Sequence, residues 1–110
     1  MIHPVGPDVI TVTTFEESPV TGQIVATDPE GDPLTYTLQD LPTNGTAVIN
    51  QEGLFTYVPN ENFAGNDTFT VRIADPAGQF IITNVFVIVI PVEQPPLYLI
   101  IRLPLLKINL

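Results

Sequence analysis

Three carboxylates, Asp28, Glu30 and Asp32, occupy alternate positions in the run ATDPEGDPLTY, residues 26–36, interleaved with Pro29, Gly31 and Pro33. Carboxylates are the strongest oxygen ligands a protein offers a hard cation, and calcium takes about six to eight oxygens at roughly 2.3–2.6 Å. The three side chains converge only where the backbone turns sharply between them. Gly31 admits positive φ, and the two prolines restrict the alternatives. Without a cation, like charges held this close repel one another and oppose closure of the bend. The plainer alternative is a solvated turn, because Asp, Pro, Glu and Gly are ordinary turn residues.

Other chemistry is poorly served. His3 is the single histidine and lies at the chain's start, where a solvated ring is the expected state. Ser18, followed by Pro19, lacks the strand–turn–helix setting of a nucleophile elbow. With no cysteine there is no disulfide, thiolate metal site or thiol nucleophile. Paired carboxylates exist, but nothing in the sequence builds a pocket around them. No catalytic residue and no organic cofactor site is expected, and the chain does not read as an enzyme.

The charge balance narrows the partners. Twelve acids face three bases, for a net charge of -9. Nucleic acid and anionic membrane surfaces both need Lys and Arg, so neither is an expected partner. A cation is permitted, and a metal ion is the simplest one. The first residues have neither a basic region nor an apolar run of signal-peptide type. No stretch reaches the roughly 18 apolar residues of a membrane span.

The elements that must position the acids read as strands. No segment has an apolar 3.6-residue period with credible caps. Strand-like runs at Val9–Thr14, Val20–Thr27, Leu34–Leu38, Thr46–Asn50, Leu54–Val58, Asp67–Ala74 and Phe80–Ile90 are separated by turn clusters. In Asp67–Ala74 the apolar Phe69, Val71 and Ile73 alternate with Thr68, Thr70 and Arg72. Seven closely spaced strands predict an all-β fold, a seven-stranded antiparallel Ig-like sandwich. Phe55, Tyr57, Phe63, Phe69, Phe80 and Phe86 are the expected core or core-edge aromatics. The chain divides into an N-terminal linker at 1–8, a sandwich at 9–92, a C-terminal linker at 93–96 and an atypical apolar tail at 97–110. That tail, LYLIIRLPLLKINL, has no acid and carries Arg102 and Lys107.

These motifs together resemble a family. Glu16-Glu17-Ser18-Pro19-Val20, the acidic run from Ala26 to Tyr36, Pro42-Thr43-Asn44-Gly45-Thr46, Phe55-Thr56-Tyr57-Val58-Pro59-Asn60, Asn62-Phe63-Ala64-Gly65-Asn66-Asp67-Thr68-Phe69 and Ile73-Ala74-Asp75-Pro76-Ala77-Gly78 occur in order. The sequence is similar, over roughly residues 4–96, to the bacterial cadherin-like, Ig-like repeats strung in tandem in large surface and secreted proteins. The resemblance implies a sandwich that binds calcium at junctions with neighbouring repeat modules. Asp75 and Asp8 would then approach Asp28 and Glu30 at one end, with Asp32 a further ligand or a turn cap. Glu16 matches the family's acid before the first long strand, with Glu61, Asp67 and Glu93 as candidate companions. Two positions depart from the family's pattern. Glu93-Gln94 stands where Asn-Asp is usual, and Glu30 where Asp is commoner.

The function expected on this basis is that of a calcium-stabilised extracellular or cell-surface module, structural or adhesive, in a bacterial repeat protein. Loop-mediated recognition of a glycan or protein ligand, without functional calcium, is the alternative.

Overall fold

The computed structural model of the chain describes residues 3–92. The expectations for Glu93, for the 93–96 linker and for the 97–110 tail lie outside the described residues. Seven strands follow one another: β1 Val9–Phe15, β2 Val20–Gln23, β3 Thr35–Asp40, β4 Gly45–Ile49, β5 Leu54–Pro59, β6 Gly65–Ala74 and β7 Phe80–Ile90. They form two sheets, ordered β1-β7-β6-β3 and β2-β5-β4. The all-β sandwich expected from the strand spacing is the observed architecture.

One pairing departs from the antiparallel expectation. β1 runs parallel to β7, from Val9 opposite Asn84 to Phe15 opposite Ile90. The other strand pairs are antiparallel. The reason lies in the connections. β6 and β7 form a hairpin, so β7 returns towards the pole where β1 ends, and β1 reaches the free edge of β7 only by running alongside it. The second strand is also shorter than its sequence suggests. It stops at Gln23, and Thr27 instead bridges Val5 of the N-terminal segment.

The core follows the two-residue period of the strands. Phe69, Val71 and Ile73 of β6, and Val85 and Val87 of β7, are fully buried against Phe55 and Tyr57 of β5. Phe69 packs edge-on to Phe55, with ring centroids 5.5 Å apart, and parallel to Tyr57 at 6.3 Å. This aromatic group joins the two sheets at the centre of the sandwich. Phe63 is half-buried at its margin. Phe80 and Phe86, counted with the core from sequence, are instead 46 % and 43 % exposed. In β7 the inward positions are Thr83, Val85, Val87 and Val89, so the even-numbered side chains point outward. Phe80 still finds a partner there, because the Arg72 guanidinium lies 4.1 Å from its ring centroid.

The turn at Gln51-Glu52-Gly53 forms the expected hairpin between β4 and β5. Gly53 has φ 82°, and a Cβ there would meet the Ile24 carbonyl oxygen at 2.6 Å. Both the left-handed backbone and the close approach require glycine. The approach exists because the Ile24 amide donates to the Gly53 carbonyl at 2.8 Å, which ties the end of β2 to this hairpin.

Candidate metal centre

The acidic bend lies between β2 and β3. Its shape is set by Asp28, whose Oδ2 accepts hydrogen bonds from the amides of Glu30 (3.0 Å) and Asp32 (2.8 Å). The Gly31 amide donates to the Asp28 carbonyl at 2.9 Å, and Gly31 itself takes φ 79°. Asp28 thus folds the loop around its own carboxylate, as Asp side chains do in turns. The result gathers one carboxylate oxygen from each of Asp28, Glu30 and Asp32 within 4.8 Å of one another. Glu30 and Asp32 are exposed, while Asp28 is half-buried.

Asp28 Oδ1 is buried and has no hydrogen-bond partner. A buried, unpaired carboxylate oxygen is costly unless a donor or a cation satisfies it. A second orphaned oxygen, Gln79 Oε1, is on the β6–β7 turn. The two loops belong to the same end of the sandwich, since Thr35 at the start of β3 is paired with Ala74 at the end of β6. Carboxylate and amide oxygens are the donor types a hard cation takes. Asp28 and Asp32 also border an open cleft of about 390 Å³, lined further by Tyr36, Gln51 and Glu52. Gln51 fixes one wall, donating to the Tyr36 carbonyl at 3.2 Å and accepting from the Tyr36 amide at 3.4 Å. Sequence reading missed Gln51 and Glu52 here. They stand on a different hairpin, and no local spacing connects them to Asp28.

The remaining sequence candidates are placed as follows. Asp75 shares this end but does not join the group of three. It is buried, and its Oδ1 accepts from the Gln79 amide at 2.9 Å, closing the hairpin turn in which it sits. Asp8 stands at the start of β1, where its carbonyl accepts from the Asn84 amide at 2.8 Å. It too is outside the group. The segment before β1 is fastened to this end. Val5 and Thr27 exchange two backbone hydrogen bonds of 2.8 Å, and the Thr83 hydroxyl donates to the Pro7 carbonyl at 2.7 Å.

Glu16 lies at the opposite pole. Its Oε1 accepts from the Val92 amide at 3.0 Å, and its own amide donates to the Ile90 carbonyl at 2.8 Å. It therefore holds the chain leaving β7, and with Glu17, Asn62 and Val92 it lines a polar cleft. Glu61 is exposed and stands in no group of acids among the described residues. Asp67, the other described companion proposed for Glu16, is buried and saturated. Its Oδ1 accepts from the Thr43 and Thr68 amides at 3.1 and 2.9 Å, and its Oδ2 from the Asn44 amide at 2.9 Å and the Tyr57 hydroxyl at 2.7 Å. Its role is to pin the loop before β4 to β6.

Burial, reinforced by the hydrogen bond to Asp67 and by the charge of that carboxylate, pushes the Tyr57 phenol well above its ordinary 10.0. Burial also raises Tyr36, partly offset by a bond to Ala26. A phenol whose folded pKa exceeds its unfolded one contributes stability that is complete below the unfolded value and is lost as pH rises beyond it. The melting temperature is therefore expected to fall from about pH 10 upward. The fall should be shallower in Tyr57→Phe, with the residual slope owed to Tyr36. A pH series of thermal melts on both proteins checks this, and equal slopes would remove Tyr57 as its source.

No curated protein matches the chain by sequence. Among solved structures it is similar to an endo-fucoidan hydrolase from glycoside hydrolase family 107, at TM-score 0.64 and 22% identity, covering 82% of this chain and 14% of that one. The extracellular cadherin domains 3-6 of protocadherin gamma B2 give TM-score 0.64 and 21% identity, over 84% of this chain and 23% of that one. A putative alpha-galactosidase/melibiase from Bacteroides fragilis gives 0.60 and 14%, over 79% and 17%. The chain thus spans less than a quarter of each of these proteins, and the likeness is one of fold. Among the described residues, no helix is long and apolar enough to cross a membrane. A family model described as bacterial Ig domain matches residues 3–88. Such domains are typically non-catalytic modules and occur in surface proteins. By fold and by sequence, the chain belongs to the bacterial Ig domain family.

Proposed function

We propose that this domain is a calcium-stabilised spacer or adhesive module of an extracellular bacterial repeat protein, in which the ion stiffens the junction with a neighbouring module. Asp28, Glu30 and Asp32 would hold the ion, and calcium would supply the positive charge that offsets their mutual repulsion. The observation that carries this reading is the buried, unpartnered Asp28 Oδ1 within a group of three carboxylates. The Val5–Thr27 bridge supports the mechanical part of it. The chain approaching β1 is hydrogen-bonded to the residue that precedes Asp28, so rigidity at the bend is passed directly to the incoming segment.

An extracellular module with a dissociation constant near 1 mM gains about 1.4 kcal/mol at about 10 mM calcium, or roughly 6–11 °C in melting temperature. Thermal melts in calcium, in matched magnesium and sodium, and in chelator measure this. Asp28→Asn is expected to abolish most of the calcium-specific shift and to leave the chelated protein folded with an unchanged or slightly raised melting temperature. Equal shifts in calcium and magnesium, or none up to tens of millimolar, would overturn the calcium reading.

A second reading is favoured by the hydrolases among the structural neighbours. The domain would then be an accessory module beside a carbohydrate-active domain, binding a glycan or a protein through its loops. Retention of the isolated domain on a sulfated polysaccharide column, unaffected by chelator, would select this reading over the first.

A further inference from the structure

The outer face of β7 and β1 carries a stripe of apolar side chains beside the pole where β7 ends. Phe86, Ile88 and Ile90 point outward from β7 and are 43 %, 40 % and 38 % exposed. Phe15, opposite Ile90 in the β1–β7 register, is 55 % exposed, and Val92, two residues past Ile90, is 42 % exposed. Inward-facing Val85, Val87 and Val89 already satisfy the core. The run VFVIVI is thus apolar on both faces, which is the pattern of a strand covered on both sides. A sheet with one solvated face needs no such residues at its outer positions.

We propose that this stripe is the docking surface for the chain's own segment 97–103, independently of any calcium reading. Three features favour that occupant. The described chain ends at Val92, at the edge of the stripe itself, and only Glu93, Gln94, Pro95 and Pro96 stand between it and Leu97. Four residues reach roughly 13 Å, enough to rise to a layer about 10 Å above a sheet. Segment 97–103, LYLIIRL, is apolar at every position but Arg102. Seven extended residues cover roughly 23 Å, more than the roughly 14 Å from Phe86 to Ile90. The charges are complementary as well. Residues 1–96 hold all twelve acids and one base, a net of -11, whereas Arg102 and Lys107 give 97–110 a net of +2.

The chain has no cysteine, so an introduced pair reports on this contact alone. In the full chain, Ile88→Cys with Ile100→Cys is compared with Val48→Cys with Ile100→Cys, Val48 being 58 % exposed on the other sheet. Under mild oxidation at low protein concentration, the first pair should form an intrachain disulfide at least about tenfold faster than the second, as its higher effective concentration requires. Equal rates would mean a segment with no preferred surface, and a disulfide-linked dimer in place of the intrachain product would mean that a second copy covers the stripe; either overturns the proposal. Hydrogen exchange gives a second readout. Amides of 97–103 should be protected in the unaltered chain and lose that protection in Phe86→Asp. Unchanged protection in a folded Phe86→Asp protein would also overturn it, and if that variant does not fold the cysteine comparison decides.

Discussion

Phe69→Ala is expected to destabilise the domain by about 3–5 kcal/mol, the cost of emptying a buried aromatic site that its neighbours cannot fill. Phe69 is fully buried and touches both Phe55 and Tyr57, so its loss removes two aromatic contacts along with the buried area. Set against a total of about 5–15 kcal/mol for an ordinary domain, this leaves a marginal fold. Val48→Ala, on β4 of the other sheet, is expected to cost less than about 1 kcal/mol, because its side chain is 58 % exposed on the outer face. Urea denaturation of both variants separates them. Similar losses at the two sites would mean that Val48 is covered as Phe69 is, and that its side chain does not face outward from β4.

The second large effect is expected from Asp67→Ala, at roughly 3 kcal/mol, or roughly 12–24 °C in melting temperature. The substitution removes a buried carboxylate that accepts from three backbone amides and from the Tyr57 hydroxyl. The Tyr57 hydroxyl would keep only a longer contact to the Asn44 carbonyl at 3.3 Å. Tyr57→Phe alone should cost about 1 kcal/mol, since Asp67 retains its three amide donors. Adding Tyr57→Phe to Asp67→Ala should cost less than the sum of the two, because the hydroxyl left short of a partner is then gone. Thermal melts of the three variants give the cycle. Strict additivity would show that the two residues do not act as one unit.

Strand positions and the alternation in β6 were legible in the sequence because both are local. Phe69, Val71 and Ile73 must share a face whatever β6 pairs with, and all three are buried. The apolar run of β7 gave no such guide. Both of its faces are apolar, so only its register with β6, Phe69 opposite Val85, decides that the valines face in and Phe86 faces out. The acidic bend was legible for the reason that β6 was. Asp28, Glu30 and Asp32 lie within one turn, and the Asp28 side chain organises that turn through the amides of the two acids that follow.

Asp75 marks the limit of that kind of reading. The sandwich topology brought it to the same end as the acidic bend, but its Oδ1 has a nearer partner in the Gln79 amide, four residues along its own hairpin. Gln51 and Glu52 reached the cleft from a different sheet, which no spacing in the chain announces. The sequence by itself determined the strands, the turn that clusters three acids and the family, because each rests on neighbours along the chain. Tertiary structure alone decided the parallel seat of β1 on β7, the outward turn of Phe86 and the burial of Asp28 Oδ1 without a partner. Each of these depends on which distant backbone and side-chain groups compete for the same space and the same hydrogen bonds.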